Sequence, residues 1–216
     1  MKRVLARRWS IGLVMLLAAL ALSLVGCAGG ALRATSWTGL AVVDDSVYAA
    51  DLQQVAQLDA QTGDVAWTFP RNPQEDSRGV FYVTPAVSDD YVIAASATPA
   101  GGFFSQPKNV VWALDHDGRD VWSFSGASGQ YVEGGAIGNG TFVIGSSDGN
   151  VYALDLDTGD LKWEFETGHR VWATPLIDGD IVYIGSMDRH LYALRIADGE
   201  EIWNFYAGGA FASEPV

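Results

Sequence analysis

A chain of 216 residues, 49% of them hydrophobic, is long enough to bury one sizeable core, and 13 basic against 26 acidic residues leave it at −13. Lys2, Arg3, Arg7 and Arg8 precede the predicted mature region, which keeps 9 basic residues and a net charge of −17. That sign excludes non-specific nucleic-acid binding, which needs phosphate neutralised by Lys and Arg, and disfavours electrostatic docking on anionic lipid. The lone cysteine, Cys27, excludes any internal disulfide.

Residues 1–26 are predicted to be a targeting segment rather than part of the fold. Four positive charges precede Ile11 to Val25, an apolar run of 15 residues, and a bilayer span needs about 20. Leu24-Val25-Gly26-Cys27 then resembles a bacterial lipobox. The resemblance implies cleavage before Cys27 and acylation of its thiol, with residues 27–36 as a short tether. An ordinary signal peptide with an idle Cys27, or an uncleaved anchor, are the other readings. Two or three acyl chains would hold the protein stably on a membrane where one would not.

From residue 37 onward the chain repeats itself. Gln57 to Trp67 reads QLDAQTGDVAW, Ala113 to Trp122 reads ALDHDGRDVW, Ala153 to Trp163 reads ALDLDTGDLKW and Ala193 to Trp203 reads ALRIADGEEIW. In all four a glycine stands four positions before a tryptophan: Gly63 and Trp67, Gly118 and Trp122, Gly159 and Trp163, Gly199 and Trp203. The last two tryptophans are 40 residues apart, the period of propeller blades. Within each unit an apolar run, an Asp- and Gly-containing turn and an alternating run predict a hairpin.

Earlier in each unit lie further predicted strands: Ser46 to Ala50 in the first; Tyr82 to Ala86 and Tyr91 to Ala95 in the second; Val132 to Ala136 and Thr141 to Gly145 in the third, joined at Asn139-Gly140; Trp172 to Leu176 and Ile181 to Gly185 in the fourth, joined at Asp178-Gly179. The fold class is therefore all-β, four-stranded antiparallel blades at about residues 37–70, 80–126, 131–168 and 171–207. Residues 211–216 read as the start of a next blade, because Pro215 follows Pro175 by 40 residues. The expectation is an arc belonging to a larger ring, its two open edges prone to association.

The pattern A-x-D-x-x-T-G-x-x-x-W resembles the tryptophan-docking motif of the pyrroloquinoline-quinone-type (PQQ-like) β-propellers. Ala153, Asp155, Thr158, Gly159 and Trp163 fit it fully; Gln57 replaces the Ala in the first unit, and Arg195 and Asp198 replace Asp and Thr in the last. The likeness covers residues 35–216. It implies a ring of seven or eight blades in which the tryptophans wedge neighbouring blades together. With the lipobox it resembles the BamB-like lipoproteins in particular, which implies an exported, lipid-anchored, non-catalytic module in a bacterial envelope that docks partner proteins through loops of one propeller face. Two alternatives stay open: a PQQ-dependent oxidoreductase whose cofactor ligands lie in a missing C-terminal part, and a surface sensor or carbohydrate-binding propeller.

Insertions at residues 70–79 and 98–109 and the short links Gly168-His169-Arg170 and Asp188-Arg189-His190 are expected on one face. Phe103, Phe104, Arg71, His169, Arg170 and His190 are the candidate partner contacts, and a self-packing loop is the competing reading for the Phe pair. No catalytic, cofactor-binding or metal-binding residue is assigned. PQQ enzymes of this fold commonly carry a vicinal cysteine disulfide, which this sequence cannot form. The Asp155-x-Asp157-x-x-Asp160 and Asp115-x-Asp117 runs lack the distal Glu of an EF-hand and coincide with the repeat turns. His169 and His190 lack evident further ligands for zinc.

Overall fold

The computed structural model describes residues 39–98 and 107–212. They fall in the unit Trp37–Val216. The segments expected to be a targeting sequence (residues 1–26) and a tether (27–36), with Cys27, and Phe103 and Phe104 lie outside the described residues.

The described residues form an all-β array of four antiparallel sheets, taken in chain order. The first holds β1 (Leu40–Val43), β2 (Ser46–Asp51), β3 (Gln54–Asp59) and β4 (Val65–Phe69). The second holds β5 (Val80–Phe81), β6 (Ala86–Val87), β7 (Val92–Thr98), β8 (Lys108–Leu114) and β9 (Asp120–Phe124). The third holds β10 (Ala136–Gly138), β11 (Thr141–Gly145), β12 (Asn150–Asp155) and β13 (Leu161–Glu166). The fourth holds β14 (Leu176–Asp178), β15 (Ile181–Gly185), β16 (His190–Arg195) and β17 (Glu201–Tyr206). First strands of successive sheets touch in the order β1, β6, β10, β14. Blades of an open propeller arc are arranged in this way.

The core lies in layers between consecutive sheets. Tyr48, Val55, Phe69, Phe81 and Val92 fill the first layer, Ile93, Val111, Tyr131, Phe142 and Ile144 the second, and Val143, Val151, Val171, Val182 and Ile184 the third. Strand alternation explains the division. Phe142 and Ile144 point to one neighbour and Val143 to the other, so β11 is buried on both faces and its sequence reads apolar throughout.

The first strands differ from the sequence expectation. Tyr82 to Ala86, Val132 to Ala136 and Trp172 to Leu176 read as strands, yet pairing begins only at Ala86, Ala136 and Leu176. Pro85 and Pro175 bring no N–H to a ladder. At Gly135 a Cβ would lie 2.4 Å from the Phe142 ring, so this segment hugs the core instead of running flat along the sheet. In the second sheet the first strand is split. β5 pairs with the far end of β7 through Val80 and Ala97, and β6 with its near end through Val87 and Val92.

The turns follow their residues. Asn139 and Gly140 both adopt positive φ between β10 and β11, the conformation Asn-Gly favours in two-residue hairpins. The corresponding turn of the fourth sheet is Gly179-Asp180, one residue later than Asp178-Gly179, with Gly179 at φ 55 in the position of Asn139.

Candidate functional site

The hairpin motif places one tryptophan on the last strand of every sheet. Gln57, Ala113, Ala153 and Ala193 pair across the ladder with Trp67, Trp122, Trp163 and Trp203, and in all four the register shifts at the next residue. The bulge re-aims the strand, and in three of the four pairs the small Ala partner leaves room for the indole beside it. Trp67, Trp122 and Trp163 donate their Nε1–H across to the following sheet, to the carbonyls of His116, Leu156 and Ile196 at 2.8, 2.9 and 2.8 Å. The same rings lie flat on Gly118, Gly159 and Gly199, where an added Cβ would stand 2.5–2.6 Å from ring carbons. These three glycines sit at φ 74–75, so both backbone angle and space demand glycine.

The turn carboxylates hold that platform. Asp155 Oδ1 accepts the backbone N–H groups of Asp157 and Thr158, and Gly159 N donates to the Asp155 carbonyl. Asp59 does the same for Gln61 and Thr62, and Asp115 for Asp117 and Arg119. Bonds from Thr62 N, Arg119 N and Thr158 N are the leading reason that these three carboxyls sit below the ordinary carboxylate range. In the fourth sheet Arg195 takes the place of that Asp, and the turn is held differently: Arg195 Nη1 reaches Asp198 and Glu200 at 2.9 and 2.7 Å, and Asp198 accepts from Glu200 N.

His116 is a joint between the first two sheets. Its Nε2 lies 3.1 and 3.0 Å from the Ser88 and Asp89 carbonyls, which can only accept, so Nε2 carries the proton and Nδ1 accepts from Tyr48 Oη at 3.3 Å.

A second recurring lock was missed in the sequence. Asp148 Oδ2 accepts from Ser128 N, Gly129 N and Tyr152 Oη, tying the link before the third sheet to the β11–β12 loop. Asp188 Oδ2 repeats this with Gly168 N and Tyr192 Oη before the fourth. The signal was S-x-D-x-x-x-Y, present at Ser146-Asp148-Tyr152 and at Ser186-Asp188-Tyr192. Partial burial pushes Asp148 up, but the bonds from Asn150 N, Gly129 N, Tyr152 and Ser146 outweigh it and its carboxyl ends below the usual range.

The candidate partner contacts divide into groups. The carbonyls of His169 and Arg170 accept from Ser186 Oγ and Met187 N, which sets residues 168–170 against the loop 186–190. Arg170 lies over the Trp172 ring at 5.8 Å, and His190 stands against Tyr192 and Tyr206 at 5.8 and 5.3 Å. His190 Nδ1 is 3.3 Å from Asp188 Oδ1, in reach of an ion pair but without hydrogen-bond geometry. Arg71 instead lines a groove of about 530 Å³ beside Gln57, Trp67, His116 and Arg119. That groove adjoins a second, of about 680 Å³, whose wall includes Arg78 stacked on Trp112 at 4.9 Å.

The chain matches the family described as "Outer membrane protein assembly factor BamB" over residues 28–133 and 107–214. A serine/threonine-protein kinase, AfsK of Streptomyces griseus, is 30% identical over 144 residues, which is 66% of this chain and 17% of the kinase. The assembly factor BamB of Burkholderia pseudomallei is 29% identical over 124 residues, 57% of this chain and 28% of that protein. The chain thus spans less than a third of either relative. Among solved structures, BamB of Moraxella catarrhalis superposes with a TM-score of 0.62 at 20% identity, covering 76% of this chain and 47% of that one. Quinohemoprotein alcohol dehydrogenase of Comamonas testosteroni gives 0.61 at 18% identity, covering 81% and 35%. The computationally designed protein Ika4 gives 0.60 at 17% identity, covering 75% and 92%. At these identities the likeness is one of fold.

Two outcomes follow from the junction geometry. Trp163→Ala is expected to cost about 3–5 kcal/mol in urea unfolding. Trp163→Phe keeps a ring but strands the Ile196 carbonyl, and is expected to cost about 1–3 kcal/mol. Because the folded-state value of Asp148 is depressed, its contribution is complete above the ordinary carboxylate value near 4 and is lost as pH falls through the depressed one. The urea midpoint is therefore expected to drop as pH falls from 4 to 2, and to drop less in Asp148→Asn.

Proposed function

Because the chain belongs to the family described as outer membrane protein assembly factor BamB, we propose that it is an exported, lipid-anchored, non-catalytic propeller module that docks proteins of the bacterial envelope. The family match across residues 28–214 carries this reading. Cys27 is the lipidated residue and residues 1–26 the cleaved signal, with blades at about residues 37–70, 80–126, 131–168 and 171–207. The side-chain chemistry supports a scaffold. The carboxylates of Asp59, Asp115, Asp155, Asp148 and Asp188 are engaged by backbone N–H groups, where they build turns and links.

The docking face consists of the links at residues 70–79, 98–109, 168–170 and 188–190. Phe103, Phe104, His169, Arg170, His190 and Arg71 are its candidate contacts, and Arg71 lines the groove beside Trp67 and His116. The described links connect strands of packed sheets, and loops held by such a scaffold are where binding residues concentrate.

The fold-level likeness to a quinohemoprotein dehydrogenase supplies the second reading, a quinone-dependent oxidoreductase. Adding PQQ and calcium to the purified chain separates the two: quinone absorbance that stays with the protein, with dye-linked alcohol oxidation, overturns the scaffold reading. Cys27→Ser is expected to move the protein from the membrane fraction to the soluble fraction. Phe103→Ser with Phe104→Ser is expected to remove envelope proteins that co-purify with the full chain while leaving the melting temperature unchanged; an unchanged set of co-purifying proteins removes this loop from the docking face.

A further inference from the structure

The two grooves at the first junction follow one stretch of chain. Ala66, Trp67 and Thr68 of β4 line the groove of about 530 Å³, and Phe69 and Pro70 line the one of about 680 Å³. Arg71 and Arg119 line both, so the grooves meet there. Residues 66–70 alone extend roughly 13 Å at strand spacing. Each groove has the size of a site for one small ligand, roughly 300–1,000 Å³, and together they suit an extended one. One wall comes from the insertion after β4, where the Asn72 carbonyl accepts Glu75 N and Asp76 N at 3.1 and 2.9 Å. The other comes from the turn of the second sheet that carries Asp117, Arg119 and Asp120.

Charge is balanced along these walls. The guanidiniums of Arg71, Arg78 and Arg119 and the carboxylates of Glu75, Asp76, Asp117 and Asp120 line them, in a chain whose predicted mature region carries −17. Arg78 is fixed in place: it stacks on Trp112 at 4.9 Å and on Phe69 at 5.7 Å, and its Nε donates to Asp76 at 2.9 and 3.0 Å. Arg119 is held by Asp117 and Asp115. The side chains of Arg71 and Glu75 have no hydrogen-bond or ion-pair partner among the described residues.

We propose that these joined grooves bind a neutral oligosaccharide. A hydroxyl both donates and accepts, so one sugar hydroxyl serves a guanidinium and a carboxylate together. An ionic ligand of either sign meets like charge on the same walls. A peptide carbonyl cannot donate, which leaves the carboxylates only one N–H per residue of an extended peptide. Ala66, Trp67, Phe69 and Pro70 supply an apolar lining for the C–H faces of sugar rings. Walls already set by Arg78 and Arg119 reduce the ordering that binding costs.

The test is calorimetric titration of the full chain, kept in a detergent without a sugar headgroup, with maltohexaose, cellohexaose and chitohexaose. At least one is expected to bind with a Kd below about 1 mM. Arg71→Ala, Glu75→Ala and Arg119→Ala are each expected to weaken that binding about tenfold, the scale of one hydrogen bond to a charged group. Their melting temperatures are expected to stay unchanged, because Arg71 and Glu75 hold nothing and the ion pairs of Arg119 are exposed. Glu164→Ala, on the third sheet, is expected to leave binding intact. Residues 71 and 75 lie in a link proposed to dock proteins, whereas Arg119 does not. Sugar binding lost in Arg119→Ala with the co-purifying proteins retained therefore separates the two sites. Failure of all three sugars to bind would overturn the proposal. So would binding that survives any two of the three groove variants, or binding that falls equally in Glu164→Ala. Tighter binding of hexaglutamate, hexalysine or a Gly-Ser hexapeptide than of every sugar would overturn it too, by showing that the groove takes an ionic or peptide ligand.

Discussion

An indole lying on a glycine, with its N–H given to a carbonyl two or three residues earlier, holds each sheet of this protein to the next. It does three things together. It buries a large ring, satisfies that ring's only donor, and fixes the distance between sheets through a glycine that admits no side chain. The rest of the hairpin is arranged to support it. The bulge beside the tryptophan's cross-strand partner aims the strand, and the Asp turn sets the glycine at positive φ. A sheet of four short strands with two apolar faces has no stable existence alone, and these junctions bring the neighbours that cover it.

The motif was legible because its residues are dictated by backbone angle and ring size. Ala153, Asp155, Gly159 and Trp163 each have a conformational reason to be what they are, and the same reasons recur in the other units. Where a unit departs from the pattern, the physics is replaced rather than lost: Arg195, in place of the turn Asp, braces the same turn through Asp198 and Glu200. The Asp148 and Asp188 locks were less visible. Their partners are mainly backbone N–H groups of Ser128, Gly129 and Gly168 in the preceding link, which leave no mark on side-chain identity, and the pattern occurs in only two of the units.

The extent of the first strands was misread for a related reason. Val132 and Trp172 are strand formers by composition, but Pro175 and the close packing at Gly135 take these segments out of the ladder. On the candidate face, residues 168–170 and 188–190 are expected from the sequence on one side, and Ser186 and Met187 bond to the carbonyls of His169 and Arg170. Arg71 was grouped with them by its place in an insertion. It lines a groove beside Gln57, Trp67, His116 and Arg119.

Identical junctions carry a cost in specificity. Any exposed indole edge of this chain is chemically acceptable to any exposed glycine platform, so a nascent chain offers its sheets several interchangeable mates. What individualises a junction is the periphery: His116 clasped by Tyr48 and two carbonyls at the first, and the Asn139 amide reaching Gly179 and Asp180 at the third. Such marks act as addresses, favouring the neighbour that is next in sequence over an equally well-shaped stranger.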